Sequence, residues 1–332
     1  MINDGDPQVQ SFLKVHGWAN CCGEILAADA SMRQYFRLKK GIKSAVLMDA
    51  RRSSQQEIKR FCDVAEWLKK HGLQTPKIFA RNLNVGFLLL EDFGDDLFAR
   101  IMERDPSQTR PLYKTSLDML IHLRNMPLPE WLSQPDSKNL GDMISPFWEY
   151  FTDSADLKKN MRHSVSRALK RILAVLDDGL KVISLRDCHA ENLIKISGKC
   201  RLHAVGLLDF QDAFICHPAY DLVSLLQDAR RDVPPCLEQE MLDYYLFLSQ
   251  DDPTPFLKAY RILGVQRNLR ILGIFSALAK QGEKRRYLDL QPRVCNYLHR
   301  NLSHPEFDKL RSDLEPLLNG LPNQTLLRDS NG

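Results

Sequence analysis

Two short runs of branched apolar residues, each stopping at polar side chains, constrain the fold of this chain more than any other feature. Lys181 to Leu185 and Val205 to Leu208 read as buried strands. The first leads into Leu185-Arg186-Asp187-Cys188-His189-Ala190-Glu191-Asn192 and the second into Asp209-Phe210-Gln211. Asp187 and Asp209 therefore sit where strands stop. Carboxylate and amide oxygens are the hard donors that Mg²⁺ prefers, and this ion usually keeps waters while bridging one or two protein groups to phosphates. Asn192 and Asp209 suit that task. Asp187, five residues before Asn192 on one loop, is then placed to accept the proton of an attacking hydroxyl.

An Asp or Asn after a single strand is more often a turn former bonded to its own backbone. The recurrence of the pattern after a second apolar strand, with Asp221 opening the run Leu222, Val223, Leu225, Leu226, tips the balance toward catalysis for Asp187 and Asp209. Asp221 itself precedes a helical run and reads as a structural cap of that helix.

The pattern D-x-x-x-x-N, a strand and then Asp-Phe resembles that of the protein-kinase-like superfamily, and its continuation resembles the aminoglycoside phosphotransferase family. Asp209-Phe210-Gln211-Asp212-Ala213, then Pro218 and Tyr220-Asp221-Leu222-Val223-Ser224-Leu225-Leu226, looks most like the family's bacterial anomeric sugar kinases, which act on N-acetylmuramate and N-acetylglucosamine. The blocks Asp29-Ala30-Ser31-Met32-Arg33-Gln34-Tyr35-Phe36-Arg37 and Gly264-Val265-Gln266-Arg267-Asn268 agree, so the resemblance spans roughly residues 25 to 305. It implies a bilobal kinase-like fold, ATP as phosphate donor and Mg²⁺ as cofactor. It also implies that Glu91-Asp92-Phe93-Gly94 is the hinge whose backbone meets adenine, with Ser31, Arg33, Glu91 and Phe93 as nucleotide-binding candidates.

Size agrees with two lobes, because single cores stop growing at about 250–300 residues and this chain has 332. Its 46 basic and 42 acidic residues leave a net charge of +4 without a long basic tract, so nothing calls for nucleic acid or an anionic membrane as partner. Eight cysteines are scattered without a C-x-x-C pair or zinc-type Cys/His spacing. Reduced thiols in a cytoplasmic protein are the simple expectation. Asp4 and Asp6 precede any apolar run, and no run approaches 18 uninterrupted apolar residues, so neither signal peptide nor membrane span is expected.

Along the chain the spacing predicts a helix over Gln8 to Trp18. Strands follow at Glu24 to Ala28, Tyr35 to Lys39 and Ser44 to Met48. A helix over Gln56 to His71 ends at Gly72, and Gly86 to Glu91 returns as a strand. Helical patterns then dominate: Pro111 to Arg124, Met143 to Phe151, Ser164 to Leu176, Leu222 to Arg230, Leu237 to Leu248 and Thr254 to Ala279. The expectation is an α+β protein, with a small antiparallel N-terminal nucleotide-binding lobe carrying one main helix over residues 1–94. A larger, mostly helical catalytic and substrate lobe would span 95–318, followed by a polar tail, 319–332.

Two departures from the superfamily pattern stand out. Most kinases carry a lysine on the third strand that pairs with the phosphates and a helix glutamate, but here that strand reads Ala45-Val46-Leu47-Met48-Asp49-Ala50. Arg33, Arg51 and Arg52 are the replacement cations to consider, and Glu57, without its usual partner, is expected to be exposed. Leu185 stands where many relatives have histidine. Leucine fills the space without donating a hydrogen bond, so the loop around Asp209 is expected to be less rigidly held and the enzyme weaker.

Sugar recognition needs hydrogen-bonding side chains, and the substrate-binding candidates are His189, Gln211, Asp212, Arg267 and Asn268. For Arg267 a buried ion pair is an equal alternative to contact with a lactyl carboxylate. Three functions stay open: an ATP-dependent sugar 1-kinase, another phosphotransferase acting on an aminoglycoside or choline-like amino alcohol, and a pseudokinase that binds nucleotide without transfer.

Overall fold

The computed structural model describes residues 6–26, 33–151, 155–199, 201–280 and 285–318. Ser31, the Asp29–Met32 part of its motif and the tail 319–332 lie outside the described residues. The chain runs through α1 (Pro7–Val15), β1 (Cys22–Ile25), β2 (Gln34–Lys40), β3 (Lys43–Asp49) and α2 (Gln55–Lys70). Next come β4 (Ile78–Asn82), β5 (Phe87–Leu90), α3 (Phe98–Arg104) and α4 (Thr109–Arg124). It continues through α5 (Ser137–Asp142), α6 (Ala155–Leu173), β6 (Val182–Ser184), β7 (Leu193–Lys195), β8 (Val205–Leu207) and β9 (Phe214–Cys216). The last described helices are α7 (Ala219–Leu226), α8 (Pro235–Ser249), α9 (Pro253–Lys280), α10 (Gln291–Leu302) and α11 (Asp308–Leu318).

These elements form two compact units, Met1–Met119 with Ala190–Asp212, and Leu120–His189 with Ala213–Gly332. This differs from the contiguous division at residue 94. The β7–β8 hairpin belongs with the first unit because Leu97 bridges Ile194, Gln74 bridges Gly206 and the Ala99 amide donates to the Ala190 carbonyl. The chain therefore changes units within the catalytic-loop motif, between His189 and Ala190.

In the first unit, five antiparallel strands lie in the order β1-β2-β3-β5-β4. Alternate residues of a strand face opposite sides. Leu38, Ala45, Leu47, Phe87 and Leu89 accordingly form a core with Val9, Phe12 and Leu13 of α1. The helix α2 starts with a capping box, in which Ser54 accepts from the Glu57 amide and the Glu57 carboxylate accepts from the Ser54 amide. Glu57 is exposed, as expected for a residue without its lysine partner. Gly206 on β8 has no room for a side chain, since a Cβ there would stand 2.6 Å from Ile194 and 2.8 Å from the Phe93 ring.

The second unit is mostly helical and built around α9. This helix is long and apolar enough to cross a membrane by composition, yet 72% of its most apolar window is buried inside the protein. Gln266, Arg267 and Asn268 interrupt its apolar surface, and all three are buried. Gly273 lets α9 close on the Pro146–Phe147 backbone, where a Cβ would lie 2.1 Å from the Phe147 nitrogen. The antiparallel pair β6–β9 supports the start of the catalytic-loop motif. The helix expected over Leu222 to Arg230 begins earlier, at Ala219, and stops at Leu226. Gln227 leaves helical backbone, and Asp228 turns the chain by accepting the Arg230 amide at 2.8 Å.

Candidate active site

In the second unit, β6 delivers Ser184 into a loop whose backbone is held by a buried carboxylate. Asp221 accepts the Leu185 amide at 2.8 Å, the Arg186 amide at 3.0 Å and the Ser184 hydroxyl at 2.9 Å. This corrects one expectation: Asp221 is structural, but it holds the loop and makes no cap bond to its own helix. Burial drives its carboxyl up to about 6 against the pull of those three donors. Arg186 takes left-handed backbone at φ 72°, a conformation costly for a side-chain-bearing residue and concentrated at functional sites. Leu185 is buried in the position many kinases give to histidine, and its amide is satisfied by Asp221.

Asp187 follows directly. Its Oδ1 accepts a hydrogen bond from the Arg267 guanidinium at 3.1 Å, across 80 residues of sequence, and Arg267 also donates to the Ser224 hydroxyl at 2.7 Å. Burial works to raise the Asp187 carboxyl, but Arg267 and Arg270, followed by Arg186, outweigh it and hold the group below the usual carboxylate range. Asp187 is therefore ionised at neutral pH. His189 is buried, with Nε2 3.2 Å from the Arg230 guanidinium, and burial pushes its imidazole down to about 4, so it is neutral. Asn268, adjacent to Arg267, turns the other way. It is 0% exposed and donates to Gln227, which also accepts from Asn301.

The first unit holds the candidate metal ligands. The β7–β8 hairpin places Asn192 and Asp209 at its open end, where the Leu208 amide donates to the Asn192 carbonyl at 2.9 Å. Asp209 takes left-handed backbone at φ 53°, which aspartate tolerates better than most residues. Its Oδ1 accepts from the Gln211 side chain at 2.7 Å, while the Gln211 carbonyl accepts from Arg60. The Gln211 side-chain oxygen is buried without a protein donor. Asn192 and Asp209 carry the hard oxygen donors that Mg²⁺ prefers, and these two residues could hold the ion. Among the described residues, no group of three or more His, Cys, Asp or Glu side chains could hold a metal by itself. Asp212 is exposed.

Met48 is 0% exposed in the third-strand lysine position. Of the candidate replacement cations, Arg51 is held by Asp49 at 2.6 Å and Asp6 at 2.5 Å. Arg33 is buried beside Phe61, whose ring centroid lies 5.8 Å from the guanidinium carbon. Phe61 in turn packs against Phe210, next to Asp209. Arg37, which is not among the candidates named from the sequence, donates to Asp92, Asp95 and the Gly94 carbonyl at 2.8–3.0 Å and so pins the segment from Asp92 to Asp95. Within that segment the Glu91 amide donates to the Lys77 carbonyl and its carboxylate accepts the Lys77 amide.

The chain is similar to known proteins. A protein named N-acetylmuramate/N-acetylglucosamine kinase from Caulobacter vibrioides is 33% identical over 91% of this chain and 93% of its own length. A protein of the same name from Pseudomonas aeruginosa is 30% identical over 89% of this chain and 87% of its own length. Among solved structures, a ternary complex of streptomycin, ATP and APH(2")-IIa shares the fold with a TM-score of 0.63 at 15% identity, covering 92% of this chain and 99% of that one. The model of the phosphotransferase enzyme family matches residues 23–258, a stretch that contains Asp187, Asn192 and Asp209. With most of its length matched and its strand-end carboxylates within the match, this chain belongs to the phosphotransferase enzyme family.

Proposed function

We propose that this chain is an ATP-dependent kinase that transfers the γ-phosphate to the anomeric hydroxyl of an N-acetylated amino sugar, N-acetylmuramate or N-acetylglucosamine. The observation that carries the reading is Asp187, a carboxylate held ionised by arginines on a loop anchored from behind by Asp221. An anomeric hydroxyl is more acidic than an ordinary alcohol, because of the ring oxygen, so its base needs no raised pKa. Asp187 would orient this hydroxyl and take its proton late, as a loose phosphoryl-transfer transition state requires. Asn192 and Asp209 would hold Mg²⁺, which when bound offsets the charge of the phosphate oxygens. Arg33 would supply the cation that Met48 does not, and Glu91 and Phe93 would contact the nucleotide through the segment that Arg37 pins.

The charge around Asp187 favours this acceptor over the amines of the family's other branches. Asp187 is surrounded by Arg267, Arg270 and Arg186. A polycationic aminoglycoside or a choline-like cation would meet repulsion there; a sugar without positive charge would not. The test is ADP release from Mg·ATP with a panel of N-acetylated sugars, aminoglycosides and amino alcohols. Release with N-acetylmuramate or N-acetylglucosamine is expected. Release with the amines alone would replace this reading, and ATP binding without release on any acceptor would make the chain a pseudokinase.

A further inference from the structure

Within the first unit, the loop that carries Asp209 is tied to α2 and to the segment just past it. At the base of the loop, the Leu207 amide donates to the Gln74 carbonyl at 2.7 Å, and Gln74 bridges Gly206. That segment is fastened back to the helix by Thr75, whose buried hydroxyl donates to the Ala65 carbonyl at 2.8 Å. On the far side of Asp209, the Arg60 Nε donates to the Gln211 carbonyl at 3.0 Å, across 151 residues of sequence. The next residue of α2, Phe61, lays its ring on Phe210 with centroids 5.0 Å apart and planes inclined by 33°. Neighbours on a helix point about 100° apart, so a single turn of α2 grips the loop twice, by the backbone at Gln211 and by the ring at Phe210. Asp209 sits between these ties in left-handed backbone at φ 53°. A sparsely populated conformation of this kind persists where its surroundings over-determine it.

Leu185, where many relatives have histidine, offers no side-chain donor to support this loop. We propose that Arg60 is a positioning residue of the phosphotransfer site: its bond to the Gln211 carbonyl anchors the loop and thereby holds the Asp209 carboxylate in place. A guanidinium donor makes a charge-assisted bond, stronger than one between neutral groups. Fixing the Gln211 carbonyl fixes the backbone just beyond Asp209. It also fixes the origin of the Gln211 side chain, which donates to Asp209 Oδ1 at 2.7 Å. Mg²⁺ demands near-ideal octahedral geometry, so a ligand on a loosened loop loses affinity for it. The consequence for catalysis rests on the reading of Asp209 as a metal ligand; the anchoring of the loop does not.

The experiment is hydrogen exchange, read by mass spectrometry, on the full-length protein without ligands, comparing wild type with Arg60→Gln. Glutamine keeps helix propensity and polarity at this partly exposed position while removing the cation. Exchange in peptides covering residues 205–213 is expected to rise about tenfold or more, the size of one charge-assisted hydrogen bond, with β2 and β3 unchanged. Mn²⁺ affinity in the presence of ATP, read by electron paramagnetic resonance, is expected to fall by a similar factor. Affinity for metal-free ATP should hold, kcat should fall without a change in the KM for sugar, and Arg60→Lys should recover part of each loss. Unchanged loop exchange in Arg60→Gln overturns the proposal. An equal rise in β2 and β3 overturns it as well, because Arg60 would then stabilise the whole unit and not the loop. So does a loss of metal-free ATP affinity as large as the loss for Mn²⁺, since the guanidinium would then meet the phosphates itself. Faster loop exchange in Arg60→Gln, with Mn²⁺ affinity at the wild-type value both there and in Asp209→Asn, supports the anchor and removes the metal role of Asp209 alone.

Discussion

Two clusters of arginines, one in each unit, are used in opposite ways. In the first, two guanidinium groups have two carboxylates each: Arg37 has Asp92 and Asp95, and Arg51 has Asp49 and Asp6. In the second, one carboxylate, Asp187, answers to three guanidinium groups. A cation with acids to spare fixes backbone and needs nothing more. A carboxylate crowded by cations stays ionised.

The comparison can be broken most forcefully at its centre. Asp187→Asn keeps the shape and removes the charge, and it is expected to lower turnover by about 10² to 10⁴, the usual value of a general base, with ATP affinity retained. Wild-type turnover in this variant would remove Asp187 from the reaction. On the architectural side, Arg37→Ala strands the buried Asp92 and should cost about 3 kcal/mol of stability, read as a lower denaturant midpoint together with weaker ATP binding through the hinge. A folded, equally stable variant would show that Arg37 holds nothing.

The arginine beside the base is tested by pH. Asp187 has a lowered pKa, so its carboxylate persists as pH falls and is lost only on passing below that value. Arg267→Gln removes the largest stabilising charge while burial continues to favour the neutral acid, so the acid limb of the kcat/KM profile should move to higher pH. An unmoved limb would mean that Arg267 only packs. His189, with its imidazole at about 4, should contribute no titration near pH 6.5 in either protein. The smallest effect is expected for Arg51→Ala. Its side chain is 36% exposed, and a solvated pair of this kind is worth up to about 1 kcal/mol.

Much of this molecule can be read from its residues. The strands before Asp187 and Asp209, the glycine stop of α2, the missing lysine at Met48 and the exposed Glu57 all leave local marks in composition and spacing. What escaped depends on contacts remote in sequence. The partner of Asp187 is 80 residues away, and the donors to Asp221 are 35 to 37 residues away. No periodicity announces such pairs. The strands β7 and β9 have three residues each and are too short to show alternation. Arg267 and Asn268 looked alike as polar interruptions of an apolar helix. Neighbours on a helix point about 100° apart, which sends Arg267 to Asp187 and Asn268 to Gln227.

The most direct test of the account is phosphorus NMR of the product formed from Mg·ATP and N-acetylmuramate. A single sugar 1-phosphate, its phosphorus coupled to the anomeric proton, is the expected result. A phosphate on any other oxygen of the sugar, or no phosphorylated sugar at all, would contradict the assignment of Asp187 as the base for an anomeric hydroxyl.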